Sequence, residues 1–189
     1  MTRVVDKTGR WKKVGYKIAK NHGWRAKEGN IAISIGRGDL MFEVPRDWIC
    51  IPTETSLKVH EKQPPDDDIV LEVSVIYAPP RDWSDLPLPV LLQGILSNNG
   101  KPVRAEAIVQ VKRPALQYAW TEYREFHEKE QREAIWRSCV ARGGYLHGLI
   151  TYGFWPEALE LADKVWKDVL DSLQMSQFFE DPAVGPRLH

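Results

Sequence analysis

The stretches LQYAWTEYREF (116–126), REAIWRSCVA (132–141), YLHGLITYGFW (145–155) and EALELADKVWKDVLDSL (157–173) decide the fold. The first three read as strands. Leu116, Tyr118 and Trp120 share one face by the period of two, and Ala119, Thr121 and Tyr123 share the other. His127-Glu128-Lys129-Glu130-Gln131 is the first loop, and Arg142-Gly143-Gly144 turns the second strand into the third. Ile135 and Cys139 lie on one face, with Ala134, Trp136 and Val140 on the other, so the sheet must be covered on both sides. The fourth stretch predicts a helix opening at Pro156. It buries one stripe: Ala158, Leu159, Ala162, Val165, Trp166, Val169, Leu170 and Leu173. Glu160 with Lys164, and Asp163 with Lys167, are expected as solvent-side pairs.

Upstream, 31–35 and 40–44 form a predicted hairpin around Gly36-Arg37-Gly38-Asp39, whose two glycines supply the positive φ of a tight turn. That turn accounts for the Arg-Gly-Asp triplet without an adhesion role. Pro45 ends the second strand, and Trp48 follows in an extended connection closed by Pro52. The next strand pair is 56–61 with 69–77, linked through Asp66-Asp67-Asp68, which lack the alternating spacing of a calcium loop. A short helix follows, capped by Ser84 or Asp85, with its body at 90–96 and a stop at Asn98-Asn99-Gly100. A strand at 105–112 completes the set. Strands and few helices in mixed order give an α+β class with a mainly antiparallel sheet flanked by helices.

Apolar residues make up 43% of the 189-residue chain and charged residues 28%, as expected for one globular domain. Twenty-six basic side chains balance 26 acidic ones, which excludes a global polyanion-binding charge. The balance is uneven, however: residues 1–30 hold nine basic and two acidic side chains. The expected organisation is a basic segment at 1–30, one domain at 31–175 and a tail at 176–189. Arg10, Lys12, Lys13, Lys17, Lys20, Arg25 and Lys27 are the candidate partner-binding residues, able to grip a polyanion. The competing reading, preferred because Trp11, Val14, Tyr16, Ile18 and Trp24 supply apolar surface, docks the segment on the acidic remainder. Cys50 and Cys139 are expected as reduced thiols in the cytoplasm, with no membrane span.

Gly38-Asp39-Leu40-Met41-Phe42-Glu43-Val44-Pro45-Arg46-Asp47-Trp48, a strand closed by Pro and followed by Trp, resembles the opening hairpin of the PsbP-like fold. That fold is shared by a photosystem extrinsic subunit, a Ran-binding transport factor and many uncharacterised bacterial proteins. The last long strand and the terminal helix, closing in Val169-Leu170-Asp171-Ser172-Leu173, fit the same family over about 31–174. The resemblance implies a single antiparallel sheet between helices (an α/β/α sandwich) that acts through protein contacts and not through catalysis.

No phosphate-binding, dinucleotide, nucleophile-elbow or zinc signature occurs, and His22, His60, His127, His147 and His189 lack metal-ligand spacing. Cys139 and His147 sit on neighbouring strands. A two- or four-residue turn puts them on opposite faces, and a three-residue turn with a glycine bulge sets them opposite each other; a buried structural cysteine with a surface or rim histidine is the reading preferred over a catalytic dyad. Glu122, Glu125, Glu128, Glu130 and Glu133, interleaved with Arg124, Lys129 and Arg132, read as a cross-strand ion network. The function expected is therefore a non-enzymatic cytoplasmic accessory or protein-binding domain, without cofactor or metal. The alternative is a small-molecule or polyanion-binding module using a Trp-rich concavity and the basic N-terminus, and an unrecognised hydrolase ranks third.

Overall fold

The computed structural model describes residues 2–5, 11–14, 25–79, 82–83, 85–101 and 103–177; for 2–5 and 11–14 it describes the backbone path alone. The strands are β1 (Thr2–Val5), β2 (Trp11–Val14), β3 (Asn30–Ile35), β4 (Leu40–Pro45), β5 (Ile49–Pro52), β6 (Leu57–His60) and β7 (Ile69–Tyr77). After helix α1 (Leu88–Asn98) come β8 (Val109–Arg113), β9 (Leu116–His127), β10 (Arg132–Gly143) and β11 (Leu146–Phe154). Helix α2 (Leu159–Ser172) and the short β12 (Gln174–Met175) close the described chain.

The strands form two sheets, ordered β12-β4-β3-β1-β2 and β5-β6-β7-β11-β10-β9-β8. Every pairing is antiparallel except β1 with β3, which run parallel through Thr2 and Ser34. The class is the α+β, mainly antiparallel arrangement expected from the sequence. The single sheet implied by the family resemblance is replaced by two. The chain leaves β4 at Pro45, turns through a bond from the Trp48 amide to the Pro45 carbonyl, and enters β5 in the other sheet. Trp48 is buried at that crossing. The segment expected as a mere connection is thus strand β5, paired with β6 from Ile49↔His60 to Pro52↔Leu57.

The sheets approach closely where side chains are missing. A Cβ on Gly148 would lie 2.6 Å from Leu40 Cδ1, so a side chain there would require the tip of Leu40 to shift where β11 passes under β4. Between the layers lies the main core, including Phe42, Leu71, Ile135, Cys139, Ile150, Tyr152 and Trp166. A second, smaller cluster forms on the outer face of the large sheet, where Leu88, Leu92 and Leu96 of α1 cover Ala119 and Val140. Both faces of β10 are therefore covered, as its alternation requires.

Helix α1 is not capped by Ser84 or Asp85. Its N-cap is Pro87, without a side-chain cap bond, and proline in the first turn sets the backbone instead. The strand expected at 105–112 begins only at Val109, and Ala105–Ala107 is a 3-10 turn. Pro156–Ala158 is a second 3-10 turn that precedes α2. Leu159 starts the α-helix immediately after this change of period and is 40% exposed, outside the buried stripe where it was expected. Asp163 does not pair with Lys167. It accepts from Arg137 of β10, and Lys167 turns to Asp171. No helix among the described residues is long and apolar enough to cross a membrane.

Candidate functional site

The antiparallel order brings several turns to one end of the molecule. They are the β3–β4 turn (36–39), the β8–β9 turn (114–115), the β10–β11 turn (144–145) and the C-terminal end of β7. Gly144 sits at φ 59° as the first residue of the two-residue β10–β11 turn, the glycine position of a primed hairpin turn. The C-terminal segment ties this end together. Ser176 donates its amide to the Asp39 carbonyl and its hydroxyl to the Gly143 carbonyl (2.7 Å), and the Gln177 amide bonds the Gly38 carbonyl.

Large apolar side chains are left open here. Tyr77 is 64% exposed, Tyr145 54% and Ile76 48%. Leu146, next to Tyr145, pairs with Tyr77 across β11 and β7, while Ile76 pairs with His147 and so stands on the opposite face of the strand from Tyr77. The Tyr77 hydroxyl donates to Asp39 Oδ2 at 2.7 Å. Partial burial and that bond push the phenol well above its ordinary pKa, so it stays a donor. The Asp39 carboxylate of the Arg-Gly-Asp triplet is thereby engaged by Tyr77.

Next to these rings is a cavity of about 260 Å³, lined by Trp83, Arg113, Pro114, Leu116, Gln117 and Arg142, with Asp82, Ala115 and Gly144 on its rim. Arg142 latches the preceding segment by donating to the carbonyls of Trp83 and Leu86 and to Gln117 Oε1 (3.4 Å). Trp83 is fixed on two sides. Its Nε1 donates to the Pro79 carbonyl at 3.0 Å, and its ring meets His147 edge-on at 5.5 Å between centroids.

His147 is thus not a surface or rim residue: it is 5% exposed beneath Trp83. Burial, helped by the Arg142 charge, lowers its pKa and keeps the ring neutral. The register pairs Cys139 with Ile150 and Arg142 with His147, so thiol and imidazole stand on opposite faces. Burial also raises the Cys139 pKa far above the range of a reactive thiolate. Cys139 and Cys50 form no disulfide.

The sequence-derived partner residues are described only in part. Arg10, Lys17 and Lys20 fall outside the described residues, and Lys12 and Lys13 lie on β2, where only the backbone is described. Arg25 is exposed. Lys27, before the start of β3 and away from the turn end, places Nζ 2.6 Å from Asp168 Oδ1 on α2. Burial opposes the Asp168 charge. Bonds from Lys27 and Asn30, with the charges of Lys27 and Lys164, outweigh it and hold the carboxyl below its usual range. The acidic residues of β9 and β10 are dispersed into separate pairs: Arg124–Glu133, Lys101–Glu125 and Arg137–Glu122. Asp67 bonds His60 Nδ1 and Asp68 bonds Lys62, so these two carboxylates face neighbouring side chains. Among the described residues, no three His, Cys, Asp or Glu side chains gather as a metal site. Sequence reasoning passed over the turn-end cluster because Tyr77 and Tyr145 look like ordinary strand residues until the register brings them to the same end of the sheet.

These features define a PsbP-like α+β domain. The solution structure of cyanobacterial PsbP (CyanoP) from Synechocystis sp. PCC 6803 matches with a TM-score of 0.57 at 11% identity, over 81% of this chain and 96% of that one. A crystal structure from Bacteroides thetaiotaomicron VPI-5482 matches at 0.51 with 14% identity, over 72% of this chain and 45% of the other. At these identities the likeness is one of fold. The chain belongs to the Alr1449 family, whose model matches residues 31–179. It is 35% identical over 177 residues to the uncharacterized protein alr1449 of Nostoc sp. (strain PCC 7120), covering 93% of this chain and 92% of that one.

Proposed function

We propose that this chain is a non-enzymatic accessory domain of the cytoplasm that works by binding another protein through its turn end. The observation that carries the reading is the exposure of Tyr77 and Tyr145 near each other at the turn end. Large aromatic rings left open beside one another are the usual anchors of protein interfaces. Asp39 holds the Tyr77 ring in place, so little rotamer freedom is lost on contact. Two thiols on separate strands without a bridge support the cytoplasmic part of the reading.

The test compares partner capture from the source organism by the wild-type chain and by the double variant Tyr77→Ser/Tyr145→Ser. One defined partner should be retained by the wild type and lost by the variant, with a melting temperature that moves only slightly. Equal retention by both proteins would overturn the reading, as would turnover of a substrate by the purified chain.

A further inference from the structure

We propose that the cavity between Trp83 and the β8–β9 turn binds a small organic carboxylate. The charge state of its two arginines points there first. Arg142 is half-buried, and its guanidinium donates only to neutral acceptors: the carbonyls of Trp83 and Leu86 and the amide oxygen of Gln117. No ion pair joins it to a carboxylate among the described residues. Arg113 donates to the Asp171 carbonyl at 3.1 Å and to the Tyr118 hydroxyl at 3.4 Å. Its nearest carboxylate oxygen, Asp171 Oδ1, is 3.9 Å away, and Asp171 already carries Lys167. The Arg142 fork is thus held in a fixed direction by neutral groups with its charge left for an anion to match, and Arg113, with only a long pair to Asp171, lines the same cavity. A guanidinium has five donors, and a carboxylate meets two of them in parallel.

The walls select the class of anion. Trp83, Pro114 and Leu116 supply apolar surface that a bare inorganic ion would not use. Asp82 lines the same cavity. A carboxylate on a compact apolar body engages both the guanidinium donors and the apolar wall. The volume of about 260 Å³ lies at the small end for ligand pockets and restricts the body to about one ring. Trp83 is already fixed by Pro79 and His147, so the apolar wall is formed before a ligand arrives.

The inference does not depend on the partner reading, since Tyr77 and Ile76 are not among the cavity's lining residues. Its test is titration calorimetry on the full chain with benzoate, benzamide and inorganic phosphate at neutral pH. Benzoate should bind saturably, with benzamide and phosphate at least about tenfold weaker. Arg113→Gln should weaken benzoate by at least about tenfold while leaving the melting temperature nearly unchanged, because Arg113 lies on an edge strand. Ala115→Trp, an exposed position on the rim, should block the site in the same way without disturbing the core. Equal binding of benzamide or phosphate, benzoate affinity unaltered in both variants, or no benzoate heat up to about 10 mM would each overturn the proposal.

Discussion

On one face of the seven-stranded sheet, Trp166 of α2 stacks on Tyr152 at 5.5 Å and 12°, with Trp120 edge-on at 5.6 Å. Arg137 runs between the layers, its side chain 6% exposed, to reach Glu122 and Asp163. On the other face, α1 lays three leucines on Ala119 and Val140, with Tyr123 and Leu149 partly buried against them. Farther along that face, Val70, Ser74 and Thr151 are only half-buried. The first face joins distant parts of the chain and ties α2 and the small sheet to the large one. The second is a light covering over small side chains. Stability therefore resides mainly on the α2 face. The outer face and the turn end can change without unfolding the molecule, which is where a binding surface can be maintained.

Substitutions can break this contrast. Trp166→Ala should cause the largest loss, about 3–5 kcal/mol in urea denaturation, because a buried ring is removed from between two others. A loss under about 1 kcal/mol would mean the aromatic stack adds little. Leu92→Ala under α1 should cost less, about 2–3 kcal/mol, near the low end for a buried leucine, because α1 can settle toward Ala119. A cost equal to that of Trp166→Ala would remove the asymmetry between the faces.

Lys27→Met should cost about 0.5–1 kcal/mol near neutral pH, as for a partly exposed ion pair. The sign of its pH dependence is fixed. Asp168 has a folded pKa below its unfolded value, so its contribution is present above that unfolded value, about 3.9. It fades as pH falls through the folded value. Wild type and Lys27→Met should therefore converge in stability in acid, and parallel curves down to low pH would refute the pairing. The smallest effect is expected for Tyr152→Phe. The Tyr152 hydroxyl is buried with no hydrogen-bond partner, so its removal should shift stability by less than about 0.5 kcal/mol.

The fold was legible where periodicity was long. The meander from Leu116 to Phe154 and the stripe of α2 follow from alternation and the 3.6 repeat alone. The placement of Cys139 and His147 stayed open in the sequence, because it depends on the length of the β10–β11 turn, which the pairing of Gly143 with Leu146 fixes at two residues. What escaped was set by tertiary contact. Ile49–Pro52 is too short for a pattern, and only its pairing with β6 makes it a strand. His147 reads as a rim residue until Trp83, 64 positions earlier, folds over it. Asp163 has a good helical partner in Lys167 but finds a better one in Arg137, which only the sheet delivers. The candidate site was the least legible part, since its rings belong to β7 and a turn that meet only through register. The basic residues drew attention by charge, yet Lys27 is committed to Asp168.

The central claim, that the turn end is the working surface, is tested most directly by site-specific photo-crosslinking in the source organism. A photoreactive phenylalanine analogue placed at Tyr145 is compared with one at Leu161, an exposed apolar position on α2. The account expects one discrete protein adduct from position 145 and none from position 161. Adducts of equal yield from both positions, or an adduct from position 161 alone, would contradict it.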